Sequence, residues 1–146
     1  MKFIYDDGGR TAAGYKGEAG DCVCRAVAIV TGLPYQEIYD QLATETGKQR
    51  TGKRGKRPAS ARNGINTKRK WFHDYMTSLN LIWTPCMAIG SGCQVHLRDG
   101  ELPMGRLLVS TSRHMTAVID GVIHDIYDPS RNGRRCVYGY YRKNEP

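Results

Sequence analysis

The chain has 146 residues and a formal net charge of +8. That length suits one domain with a single core and leaves no room for a second. No run approaches the ~18 consecutive apolar residues of a membrane span, and residues 1–7 lack the apolar stretch of a secretory leader, so a cytoplasmic protein without membrane contact is expected.

The first twenty residues read as loop, with a short strand at residues 2–5. Asp21 is a suitable N-cap, and Val23, Ala26, Val27 and Val30 recur at i, i+3, i+4 and i+7, which predicts a helix over 22–31 that stops at Gly32. A second helix starts at Pro34 and carries Tyr35, Ile38, Tyr39 and Leu42 on one face before ending near Gly47, its tyrosines read as core packing. A third spans 67–79, with Phe72, Tyr75, Met76 and Leu79 at helical spacing and His73 off that face, exposed. The texture then changes to strands at 81–88, 106–111, 114–119, 122–127 and 136–141, with an irregular connector over 95–101. Asp120-Gly121 is a two-residue hairpin signal. Helices followed by strands predict an α+β domain, N-terminal helices packed on a C-terminal antiparallel sheet.

The charge is concentrated. Ten lysines and arginines and no acidic residue lie between Lys48 and Lys70, and without them the chain is close to neutral. Glycine, proline, serine and asparagine interrupt this block, as in a solvated surface loop, here at about 47–66. Lys53, Arg54, Lys56 and Arg57 are its candidate contacts to nucleic acid or an acidic partner, and they support an alternative reading of the chain as a non-catalytic binding module. No aromatic residue inside the block is available to stack a base.

Five cysteines, at 22, 24, 86, 93 and 136, form an odd set without an export signal, which argues against a disulfide framework. Their spacings do not match paired zinc knuckles, so neither metal nor cofactor is expected. Cys22 is different in kind. Placed on the first turn of a helix, its sulfur lies beside unpaired backbone N–H groups and the positive end of the helix dipole, which favour thiolate. Cys24 is the rival thiol, about 200° around the helix, so one of the two at most can face a given base.

If Asp120-Gly121 is the turn, Ile119 faces Val122 and the register runs back to put Thr116 opposite Asp125. Residues 114, 116, 125 and 127 then share one face, making Asp125 a diagonal neighbour of His114. A carboxylate there fixes the imidazole tautomer and leaves the second ring nitrogen for a thiol. Asp128 is the alternate third member, since one bulge would reverse the parity. His124 points to the opposite face, and His96 has no obvious partner.

The segments Asp21-Cys22-Val-Cys-Arg25-Ala26 and His114-Met-Thr-Ala117-Val118-Ile-Asp120-Gly121-Val-Ile-His-Asp125 resemble the papain-like cysteine peptidase superfamily, more closely its small uncharacterised bacterial and phage members. The resemblance covers the first two helices and residues 106–141. It implies a hydrolase, peptidase or amidase, acting on a peptide or protein through an acyl-thioenzyme, with Cys22 as nucleophile, His114 as base and later acid, and Asp125 as orienting acid. It also implies an oxyanion hole made by the Cys22 backbone N–H and an upstream donor. Papain-like enzymes often use a glutamine side chain there, and no glutamine lies between Met1 and Cys22.

The basic-block reading has its own test. Binding to nucleic acid should weaken steeply with salt and be lost when Lys53, Arg54, Lys56 and Arg57 are neutralised together. Binding insensitive to salt in a filter or anisotropy titration would exclude it.

Overall fold

Ten residues, Cys22–Thr31, form α1, and every side chain from Val23 to Val30 is buried. A helix buried all round must be packed on several sides. One side lies on the sheet, chiefly on β4 (His114–Ile119), and another on α2 (Tyr35–Gly47). Gly32 ends α1 in the left-handed conformation, φ 74°, with its N–H on the Ala28 carbonyl at 2.9 Å.

The computed structural model describes residues 1–16, 21–47 and 65–144. Lys53, Arg54, Lys56 and Arg57 lie outside the described residues. The remaining elements are β1 (Lys2–Tyr5), α3 (Lys70–Ser78), β2 (Leu81–Pro85), β3 (Arg106–Thr111), β5 (Val122–Asp125) and β6 (Val137–Lys143). The fold is α+β. Three helices accompany a six-stranded sheet of order β1-β5-β4-β3-β6-β2 among the described residues.

The sheet is mixed, where the sequence predicts an antiparallel one. Five strands pair antiparallel, but β1 joins β5 in parallel, with Lys2 opposite Val122 and Tyr5 opposite Asp125. A strand formed more than a hundred residues before its partner leaves no local signal of its direction. The predicted hairpin forms as read, with Ile119 opposite Val122 and both Asp120 (φ 48°) and Gly121 (φ 80°) in the left-handed region that such a tight turn needs.

Two apolar clusters lie among the described residues. Phe72, Met76, Ile38 and Leu42 of the helices pack with Leu108, Met115 and Ala117 of the sheet. Leu107, Val109, Val118 and Ile123 point the other way and meet Leu97, Val95 and Leu102 of the connector between β2 and β3. Period-two alternation explains the division, since adjacent residues such as Leu107 and Leu108 serve opposite faces. The connector is therefore a covering layer.

Three expectations are corrected here. Cys93 and Cys136 form a disulfide, Cα–Cα 5.8 Å, closing 43 residues. An isolated bridge between His96 and Cys136 sets the connector beside the start of β6 and brings these distant sulfurs together. His96 is partnered, with Nδ1 3.2 Å from Glu101 Oε1. His73 is half-buried, its Nδ1 bonded to the Tyr141 hydroxyl and its ring set edge-on to Trp83.

Arg106 ties the sheet to the end of α1. Its Nε donates to the Val30 carbonyl at 2.7 Å and its Nη2 to the Ile29 carbonyl at 2.6 Å, placing a cation at the negative end of the helix. Arg106→Ala should cost about 2 kcal/mol, the scale of hydrogen bonds from a charged group. In a chain this long that lowers Tm by about 4–8 °C, readable by calorimetry.

Candidate active site

The side chain of Asp21 makes no capping bond to α1, contrary to the sequence expectation. It turns inward instead, 1% exposed. There Oδ2 accepts from the Tyr35 hydroxyl at 2.5 Å and pairs with Arg10 Nε at 2.9 Å, while Oδ1 bonds Arg25 Nη1. Short polar side chains at helix starts can cap or reach elsewhere, and three donors outcompete one backbone N–H. Arg25, one turn beyond Cys22, extends the network by placing Nη2 3.9 Å from Asp125 Oδ1.

His114 opens β4 directly after the turn from β3, held by a hydrogen bond from Thr111 Oγ1 to its carbonyl at 3.0 Å. Its Nε2 lies 2.7 Å from Asp125 Oδ2, an oxygen that also accepts from Thr116 Oγ1 at 2.7 Å. Asp125 Oδ1 takes the Ile126 backbone N–H at 2.7 Å. The parity argument thus selects the carboxylate that meets the imidazole. Asp128 instead binds the backbone N–H of Ser130 at 2.9 Å. His124, on the other face, has Nδ1 3.4 Å from Asp6 Oδ2.

Cys22 lines the same cleft as His114 and Met115, and the His114 side chain and the Met115 backbone N–H both act on its thiol. Since Nε2 is committed to Asp125, Nδ1 is the nitrogen available to the sulfur. The Tyr127 hydroxyl also lies 3.3 Å from Nδ1, and its ring tilts against the imidazole with centroids 5.2 Å apart. Strand parity predicts Tyr127 on this face, and nothing in its sequence neighbourhood signals a role there.

Electrostatics separate the two thiols. Burial raises the Cys22 pKa, but the hydrogen bond and charge of His114, the Met115 N–H and the Arg25 charge outweigh it and hold the thiol below its ordinary value. Cys24 has burial and the Asp21 charge against it and is pushed up to about 12. Burial likewise opposes the charged imidazole of His114, yet Asp125 and Cys22 raise it to about 9. For Asp125 burial is outweighed by His114, Thr116 and the Ile126 N–H, which keep its carboxyl below the usual range. The two shifts run in opposite directions, the thiol down and the imidazole up, as expected of a pair in which each stabilises the charged form of the other.

These groups line a cavity of about 1000 Å3, whose wall includes Cys22, His114, Tyr127, Arg10 and Arg25, and reaches Lys68 at the described end of the basic block. Among the described residues no cluster of histidine, cysteine and carboxylate side chains is placed to hold a metal ion. Nor is any described helix long and apolar enough to cross a membrane. No protein-family profile, curated protein or solved structure matches the chain.

The pair makes a pH-dependent prediction. Alkylation of Cys22 by iodoacetamide should rise with pH at a midpoint below that of a free thiol, because the folded pKa is lowered and thiolate is lost only as pH falls through it. In His114→Ala, burial loses its main opponent and the midpoint should move upward. Superimposable profiles, with the site assigned by peptide mass spectrometry, would refute the pairing.

Proposed function

We propose that the protein is a papain-like cysteine hydrolase, a peptidase or amidase that works through an acyl-thioenzyme. The observation that carries this reading is an imidazole held between a thiol and a buried carboxylate at the wall of a cleft. Structural cysteines are buried and inert, whereas this one is activated and opens onto space for a ligand.

In the reaction, the Cys22 sulfur attacks a carbonyl carbon, the new S–C bond forms and the π pair moves onto oxygen. Collapse breaks the bond to the leaving amine, which takes the proton from His114. The neutral imidazole then removes a proton from water as its oxygen attacks the thioester. A second collapse releases the carboxylic acid and restores thiolate beside imidazolium. Asp125, anchored by Thr116 and the Ile126 N–H, holds the ring in one tautomer through both steps.

The cleft is large enough for a short peptide segment, and its lining includes Lys68 from the described end of the basic block. A peptide or protein substrate bearing negative charge fits that lining.

The wild-type chain should release p-nitrophenolate from p-nitrophenyl acetate in a stoichiometric burst and carry the acetyl group on Cys22. Cys22→Ala should abolish the burst, and His114→Ala should slow it by about 10²–10⁴, the usual worth of general acid–base assistance. A wild-type chain that is never acetylated at Cys22 would exclude the reading.

A further inference from the structure

Acyl transfer places negative charge on the carbonyl oxygen, and a site that performs it needs donors aimed at that charge. One is the backbone N–H of Cys22, at the first position of α1, where no intrahelical acceptor exists. The second has no evident source in the sequence upstream of Cys22, which contains no glutamine. The cleft wall offers an answer on a different side chain.

We infer that Arg10 supplies the second oxyanion donor through its Nη1, an assignment that rests on the hydrolase reading above. Arg10 lines the same cavity as Cys22 and His114, yet its side chain is only 12% exposed. Two of its three nitrogens have partners in the protein. Nε pairs with Asp21 Oδ2 at 2.9 Å, and Nη2 donates to the Lys16 carbonyl at 3.2 Å. Asp21 directly precedes the cysteine, so the guanidinium is anchored to the residue next to the nucleophile. Nη1 has no partner among the described residues.

The other cations of the wall are less suited. Arg25 is spent on Asp21 and Asp125, and its remaining Nε is buried without a hydrogen-bond partner and out of contact with solvent. Arg113 and Lys68 are exposed, and no described contact orients either side-chain cation. A donor helps an oxyanion in proportion to how little it must reorganise, and Arg10 is the cation already held at two points. Its planar fork also lets one nitrogen face the oxygen while the others keep their anchors. As sulfur bonds to the carbonyl carbon and the π pair moves to oxygen, the Nη1 N–H would donate a hydrogen bond to that oxyanion, a bond that weakens when the pair returns to re-form the carbonyl and the leaving group departs.

Two reagents separate this role from a structural one. Acylation of Cys22 by p-nitrophenyl acetate passes through an oxyanion, whereas alkylation by iodoacetamide displaces iodide at a saturated carbon and does not. Arg10→Lys keeps a cation for Asp21 but lacks the fork. It should lower the acylation rate by about 10²-fold, the scale of one lost donor, and leave alkylation unchanged. Arg10→Met removes a partner of buried Asp21 as well as the donor, so it should lower acylation at least as far, with melting temperature recorded alongside. Acylation at the wild-type rate in both variants, or parallel loss of acylation and alkylation in Arg10→Lys, would overturn the assignment. Should the unsubstituted chain alkylate at Cys22 yet never acylate, the hydrolase reading itself fails and the donor role goes with it.

Discussion

The buried carboxylate of Asp21 is the constraint on which the rest of this structure depends. An ionised side chain at 1% exposure survives only with its lone pairs filled, and here the donors come from three separate stretches of chain. Arg10 brings the N-terminal loop, Tyr35 brings the start of α2, and Arg25 brings the body of α1. Removing one partner of such a set typically costs 3–5 kcal/mol, because the remaining charge stays buried. The network therefore fixes where α1 begins, and with it the height of the Cys22 sulfur relative to β4.

Position along α1 is then set from both ends. Arg106 holds the carbonyls of Ile29 and Val30 at the far end, while His114 stands beside Cys22 at the near one. Because Arg106 and His114 lie at opposite ends of the β3–β4 pair, the helix runs alongside β4 with little freedom to slide. Arg25 adds a lateral tie from α1 to Asp125 on β5. The thiol, the imidazole and the carboxylate thus sit on three elements whose relative placement is determined by charge pairing as well as by apolar contact.

How much of this was legible in the sequence follows from the range of each interaction. Local patterns sufficed for α1 and α2, for the Asp120-Gly121 hairpin and for the choice of Asp125 over Asp128 as the partner of His114, because each depends on periodicity within a few residues. Asp21 was visible as a helix-start residue, but its inward turn depends on Arg10 and Tyr35, eleven residues before it and fourteen after. The same applies to His73, which finds Tyr141 from 68 residues away, and to Cys93 with Cys136. The parallel pairing of β1 with β5 and the covering role of the connector are of this kind too. His96 is the instructive exception, since Glu101 is only five residues distant and an irregular segment hid the geometry.

The Cys93–Cys136 bond raises a matter of chemical compatibility. A thiolate is the attacking species in thiol–disulfide exchange, so a chain that holds both a free thiol of lowered pKa and a disulfide risks reshuffling its own sulfur bonds. Here Cys22 starts the helix packed within one apolar cluster, whereas the disulfide ties the connector, which covers the opposite sheet face, to the start of β6. The intervening sheet acts as an insulator between two redox states of the same element. One polypeptide can therefore hold an oxidised pair and a free thiol apart, on opposite faces of its sheet.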